Sequence, residues 1–357
     1  MTASLSNPPP RWQPGLAGVV AARTAVSKVD GDGGRLWFRG VPVQSVADRA
    51  RQGMHHAAEL VLDGPIGDLG AARVAAFSRQ RAVAALGLPA DPMGALRALV
   101  AGAEDPSTPA GLIAEVAVAV GLVAARLAAR PPLAPDPSLE HAADTGRMAL
   151  GRALEPAEAA GLAVYLSTVM DHGLNASTFT ARVVASTRAT QVDAVTAALG
   201  ALAGPLHGGA PGPVLDMLDA IGDAEAVDRW LRAELGAGRR IMGMGHRVYR
   251  VRDPRAAVLE GAVNDLAPSD RLTLARTVEQ HAERLLAERY PGRSLRANVE
   301  FYTAVLLEAI GLPRHLFTPM FAAGRVVGWL AHITEERAVG RIIRPASEYV
   351  GPDCDAS

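Results

Sequence analysis

Fifteen residues, Ile241–Arg255 (IMGMGHRVYRVRDPR), gather the side chains best suited to chemistry on an anion. His246 lies between Gly245 and Arg247, after two glycines, Gly243 and Gly245, separated by one residue. Arg250, Arg252 and Arg255 follow. Glycine lets a backbone approach a ligand closely, and the arginine fork matches a carboxylate or a phosphate. A titratable imidazole amid that charge suits a site for an anionic small molecule. The same run also reads as a basic surface turn. Asp253-Pro254 marks a helix start, with aspartate at the cap and proline at the first helical position.

Four further stretches carry polar chemistry in apolar surroundings. Asp171–Val184 (DHGLNASTFTARVV) packs His172, Asn175, Ser177, Thr178, Thr180 and Arg182 together. It reads as a polar site or as a helix junction capped by Asn175 or Ser177. Gly204–Pro213 (GPLHGGAPGP) holds His207 in a turn before a helix expected over Val214–Ala220. The positive end of that helix dipole favours a neutral imidazole, which can donate one hydrogen bond to a developing oxyanion. The alternative is a turn histidine facing solvent. Asn298–Leu312 (NVEFYTAVLLEAIGL) places Glu300 in a first helical turn above an apolar stripe of Val299, Tyr302, Leu306 and Ile310. Dipole stabilisation alone would also select a glutamate there. Phe317–Leu330 (FTPMFAAGRVVGWL) carries one arginine, Arg325, on an apolar helix. A charge so placed is costly unless paired, so an anion is expected beside it.

The elements that must position these residues read as mainly helical. After Val43 apolar positions recur every three or four residues, and Gly or Pro punctuates at intervals typical of helix ends. Alternating strands and helices are missing, which argues against an α/β fold. Before Val43, GLAGVVAARTAVSKVDGDGGRLWFRGVPV (15–43) reads as a small hairpin or a pair of extended segments, and residues 1–14 as a Pro/Ser-rich arm. Pro-rich breaks at 131–137 and 204–213 are candidate boundaries.

At 357 residues, 49% apolar and 20% charged, the chain has ample length for a large core or two domains. A net charge of −1 argues against general nucleic-acid binding. Lys28 is the only lysine, so arginine carries almost all the positive charge and any single arginine is a weak clue. One cysteine, Cys354, excludes an intrachain disulfide and a cysteine metal cluster. With no signal pattern at the N-terminus and an apolar run, Val116–Ala125, shorter than the ~20 residues a bilayer needs, a cytoplasmic protein without a membrane partner is expected.

Two turn histidines, a carboxylate and isolated arginines suffice for one reaction type: removing a proton alpha to a carbonyl, stabilising the enolate and adding it to a second carbonyl. In that order, DHGLNASTFTARV, GPLHGGAP, IMGMGHRVYRVRDPRA, NVEFYTA, FTPMFAAGRVVGWLAH and IIRP…YVGP resemble the citrate synthase family along nearly the whole chain.

The resemblance implies an all-α, two-domain homodimer, with a large domain over 1–207 and 311–357 and a small domain over 208–310. It implies condensation of acetyl-CoA with oxaloacetate, as in the tricarboxylic acid cycle, acetyl-CoA being a co-substrate and no cofactor or metal being needed. By motif position, His207 would hydrogen-bond the thioester oxygen, Glu300 would take the methyl proton, and His246 would polarise the oxaloacetate carbonyl. His172, Arg255 and Arg325 would hold oxaloacetate, with Arg344 reaching across the dimer. Met242, Gly243, Met244 and Gly245 would line the CoA adenine pocket, with Arg293 as a basic CoA contact. The family's base is usually aspartate, so Glu300 is a departure, and a shift of about 1 Å matters where geometry is tight. DHGLNAS in place of the commoner DHELNAS is a lesser one. Two alternatives stand: a 2-methylcitrate synthase using propionyl-CoA, and a non-catalytic homologue that binds CoA or a tricarboxylate.

Overall fold

The computed structural model describes residues 12–207, 211–266 and 269–352; Cys354 and most of the N-terminal arm lie outside them. Residues 27–42 form a three-stranded antiparallel sheet, β1 (Ser27–Asp30), β2 (Arg35–Phe38) and β3 (Val41–Pro42), in the order β1-β2-β3. Ser27 faces Phe38 and Asp30 faces Arg35 across the first pair. The DGDGG stretch is the turn between them. Asp30 accepts from the Gly33 amide (2.8 Å) and pairs with Arg35 (2.7 Å), which closes the turn from its own side chains. Leu36 and Phe38 point into the core and are fully buried.

Among the described residues, the regular elements after Pro42 are all helices, as the periodicity predicts. The first group comprises α1 (Val43–Ala50), α2 (Met54–Leu62), α3 (Leu69–Ala84), α4 (Pro92–Ala101), α5 (Pro109–Leu127) and α6 (His141–Leu150). Next come α7 (Pro156–Thr168), α8 (Ala176–Ser186) and α9 (Gln191–Leu202). Then follow α10 (Pro211–Ile221), α11 (Val227–Gly236), α12 (Pro254–Leu266), α13 (Asp270–Arg289), α14 (Val299–Ile310) and α15 (Phe317–Val339). The starts are chemically marked: Asp68, Asp91, Thr190 and Ser269 each accept a backbone amide from the first turn they cap.

Two helices organise the core. Helix α5 is buried along almost its whole length and packs against α3, α4, α6 and α15. Helix α15 runs between α5, α7, α8 and α9. Each fully buried Val or Leu on them contributes about 1.5–3 kcal/mol of burial. The apolar run Val116–Ala125 is part of a 19-residue helix, long and apolar enough by composition to span a bilayer, as is the segment Arg314–Val339. Their windows are 83% and 89% buried inside the protein, so the apolar character is already accounted for by packing. The break at 131–137 is not a boundary, because the helices on either side of it, α5 and α6, pack against each other. On the far side of the site α10 and α12 pack on α14, α11 packs on α13, and α12 also rests on α7.

Candidate active site

Six of the residues singled out above converge on one cleft. A cavity of about 120 Å³ is lined by His172, His207, His246, Arg255, Glu300 and Arg325, together with Asn175, Val299, Thr303 and Phe321. They arrive from six places in the chain: the α7–α8 and α9–α10 turns, the loop before α12, the first turns of α12 and α14, and the middle of α15.

His172 is held by its neighbours in a short loop. The buried Asp171 carboxylate accepts from Ser27 Oγ (2.5 Å) and the Gly173 amide (2.9 Å). Its other oxygen lies 3.2 Å from His332 Nε2. His332 Nδ1 lies 2.8 Å from Arg182 Nη1, and Arg182 bridges to Glu336 (2.7 Å) and Glu335 (2.9 Å). This buried polar chain ties β1, the loop, α8 and α15 into one unit. Asn175 caps α8, accepting from the Thr178 amide (3.1 Å), so the helix junction and the polar site are the same object.

The two turn histidines have fixed tautomers. His207 Nε2 lies 2.8 Å from Ser177 Oγ and accepts from the Ser177 amide at 3.4 Å. The acceptor nitrogen is therefore Nε2, and the proton resides on Nδ1. Trp329 Nε1 donates to the same hydroxyl (3.2 Å) and holds it in place. His246 is mirror-like. Its Nδ1 accepts from the amides of Val248 (2.9 Å) and Tyr249 (3.1 Å), leaving the proton on Nε2. Burial pushes both histidines down to about 4, with Arg325 adding to the effect on His207 and Arg255 to that on His246. Both are neutral hydrogen-bond donors at neutral pH. For His207 burial and the nearby Arg325 guanidinium both favour the neutral form.

Glu300 begins α14. Asn298 accepts its amide (3.1 Å), donates its side-chain nitrogen to the Gly245 carbonyl (2.9 Å), and donates its own amide to the Gly243 carbonyl (2.9 Å). One asparagine thus ties the candidate base to the His246 loop. Burial raises the Glu300 pKa above the usual carboxylate range, and Arg255 and Arg325 only partly offset it. A raised carboxylate is what a general base working near neutral pH requires.

The arginines divide. Asp253 caps α12 through the Arg255 amide (3.0 Å) and also holds the buried Arg255 guanidinium (2.7 Å), a second role its sequence position did not reveal. Arg325 is 2% exposed and donates Nε to the Val169 carbonyl (2.6 Å), with its guanidinium 4.6 Å from the Phe321 ring. Among the described residues it makes no ion pair. Burial lowers its pKa to about 10, and Arg255 adds to the fall. Asp171 and Glu300 act on it only from a distance, and a buried cation so weakly compensated is poised for an anionic ligand.

The remaining candidates lie elsewhere. Arg344 is exposed in the tail beyond α15, which the Ile343 amide pins to Ser186 Oγ (3.0 Å). Met242, Gly243, Met244 and Gly245 do not line the cleft. Met244 pairs with Ala297, and the Gly245 amide donates to the Arg296 carbonyl (2.7 Å), so the stretch lies strand-like against 296–298. Gly243 and Gly245 have φ of 72° and 87°, which only glycine adopts without strain. Arg293 lines a separate surface hollow with Tyr290, Leu295 and Arg296.

Tyr249 was not singled out from the sequence. Its hydroxyl is 3.1 Å from His172 Nε2, and its ring lies 4.8 Å from that of His246. It stands one turn from His246, and Phe321 stands four residues before Arg325 on one helix face; those spacings were the available signals.

The family model for the citrate synthase C-terminal domain matches residues 15–346. The chain belongs to the citrate synthase family. It is 33% identical to a citrate synthase of Acidithiobacillus ferridurans, over 96% of each chain. It is 35% identical to a 2-methylcitrate synthase of Mycobacterium tuberculosis, over 98% of this chain and 93% of that one. A structure of citrate synthase from Thermoplasma acidophilum, in ternary complex with carboxymethyl coenzyme A and oxaloacetate, superposes with a TM-score of 0.84. It is 26% identical and the match covers 96% of this chain and 97% of that one.

Proposed function

We propose that the protein is a citrate synthase, condensing acetyl-CoA with oxaloacetate and hydrolysing the resulting thioester to citrate and CoA. The observation that carries the reading is the convergence on one cleft of a carboxylate with a raised pKa, two neutral histidines of fixed tautomer and a buried arginine without an ion pair among the described residues.

Each part then has a role. Arg255, Arg325 and His172 bind the oxaloacetate carboxylates, joined by Arg344 from a second copy of the chain. Glu300 takes a proton from the acyl methyl group, and His207 donates Nδ1–H to the enolate oxygen. The enol carbon attacks the oxaloacetate carbonyl, whose oxygen receives the Nε2 proton of His246. Water then cleaves the thioester and CoA leaves as the thiol. Residues 208–310 form the small domain that closes over oxaloacetate and completes the acyl-CoA site, with Met242–Gly245 and Arg293 on the CoA side.

Propionyl-CoA is the competing substrate, since relatives of both kinds are similarly close. One methylene in an apolar pocket is worth only about 1–3 kcal/mol. Measuring kcat/KM for both thioesters by release of free CoA tests the proposal. A higher value for acetyl-CoA is expected. A higher value for propionyl-CoA would make the protein a 2-methylcitrate synthase, and no CoA release with either would make it a binding homologue.

A further inference from the structure

The small sheet touches both histidine loops. At its β1 end, Ser27 Oγ donates to Asp171 and accepts from the Gly173 amide (3.0 Å), gripping the residues on either side of His172. At its turn, the Gly31 carbonyl accepts from the Arg250 amide (2.8 Å), four residues beyond His246. The fit at this second contact leaves no room for a side chain. A Cβ on Gly31 would collide with the Val248 carbonyl oxygen, and one on Gly34 with the Val251 methyl. Val248 and Tyr249 are the residues whose amides hold His246 Nδ1. The turn is itself stiffened by Asp30, Gly33 and Arg35. Its far side is stiffened too: Arg252 is clamped by Glu279 (2.6 Å) and Glu260 (2.7 Å).

We infer that the β1–β2 turn is a gauge that sets the distance between the two substrate histidines, with Gly31 and Gly34 as positioning residues for His246. The two imidazoles stand 5.2 Å apart, centre to centre, and the sheet is hydrogen-bonded to the loops of both, which also meet directly through His172 and Tyr249. This rests on the proposed condensation for its kinetic consequence but not for its structural one. Displacing an amide pair that fixes a tautomer moves the proton donor, and a shift near 1 Å costs ~10²-fold where geometry is tight.

Gly31→Ala isolates the contact, because the φ of Gly31 is not in the left-handed region and alanine is barred there only by the Val248 oxygen. Gly40→Ala is the control: the same sheet, a φ of 81°, and nothing within 4 Å of the added methyl. Two quantities are measured, hydrogen exchange of peptides spanning 244–253 and kcat by CoA release. Gly31→Ala should exchange faster in that loop and lose ~10²-fold in kcat with a smaller change in KM for oxaloacetate, while Gly40→Ala should do neither. If Gly31→Ala does not fold, Gly34→Ala and the Gly34→Ala/Val251→Ala double variant replace it; both carry the same backbone strain from the φ of 60° at position 34, so their difference reads the Val251 contact alone. Trimming Val251 should then restore part of the loop protection and part of the lost rate. Loop exchange in Gly31→Ala equal to that of Gly40→Ala, or no rescue by Val251→Ala, overturns the gauge. A wild-type chain that releases no CoA from either thioester overturns the functional reading instead, and the exchange comparison still decides the gauge.

Discussion

Glu300 is where chemistry and stability pull in opposite directions. Its raised pKa means that the folded chain holds this proton more tightly than the unfolded one does. The carboxylate form therefore costs stability at every pH above that value, and the cost fades as pH falls through it. Glu300→Gln removes the charge and should raise Tm at neutral pH while lowering kcat by about 10²–10⁴-fold, the usual worth of a general base. A lower Tm would show that Arg255 and Arg325 outweigh burial. The histidines bear on the same experiment. With both neutral down to about 4, kcat should fall in one step as pH drops through the Glu300 pKa, with the histidines adding no step of their own above about 4.

Helix starts, more than helix bodies, bring the cleft together, and among them the start of α14 does the most. Asn298→Ala removes a cap worth about 0.5–2 kcal/mol and also frees the Gly245 carbonyl. Asn298→Asp keeps the cap but cannot donate to that carbonyl. Thermal melts and kcat on both variants should separate the two jobs: lost Tm and lost rate for alanine, mostly lost rate for aspartate. Equal rates for aspartate and wild type would show that the link to the His246 loop is idle. Caps of this kind could be read from the sequence, because Asn175, Asp253 and Asn298 stand where orphan amides need an acceptor. What a cap does besides capping could not. Asp253 holding Arg255 and Asn298 holding Gly245 depend on how the chain returns through space. The apolar stripe read on α14 was too narrow for the same reason, since Phe301, Thr303, Val305 and Leu307 are also buried by neighbours from other parts of the chain.

Across the whole molecule, cleft residues run from 172 to 325 in sequence, and only their motifs, in order, announced that they belong together. Local propensity predicted helices and the short hairpin; it carried no distance between His207 and Glu300. Arg344 stays outside the cleft of its own chain. Exposed Ile342, Tyr349 and Val350 beside it, and exposed Trp12 and Val20 at the other end, are apolar groups a second copy could cover. If Arg344 completes a partner's site, mixing Arg344→Ala subunits with Glu300→Gln subunits should restore roughly a quarter to a half of the activity through hybrid sites, as subunits redistribute by mass action. No recovery after demonstrated exchange would exclude a shared site.

The burial of α5 by α15 has a consequence for how the chain is made. Helix α5 leaves the ribosome about 190 residues before the helix that covers it, an interval of roughly 10–40 s at ordinary rates of synthesis. Throughout that time a 19-residue segment with the hydropathy of a membrane span lacks part of its cover. Its early partners α3, α4 and α6 shield it on other sides, and all are made before or just after it. The helix that brings Arg325 into the cleft is thus also the last cover laid over the more apolar of the two long helices.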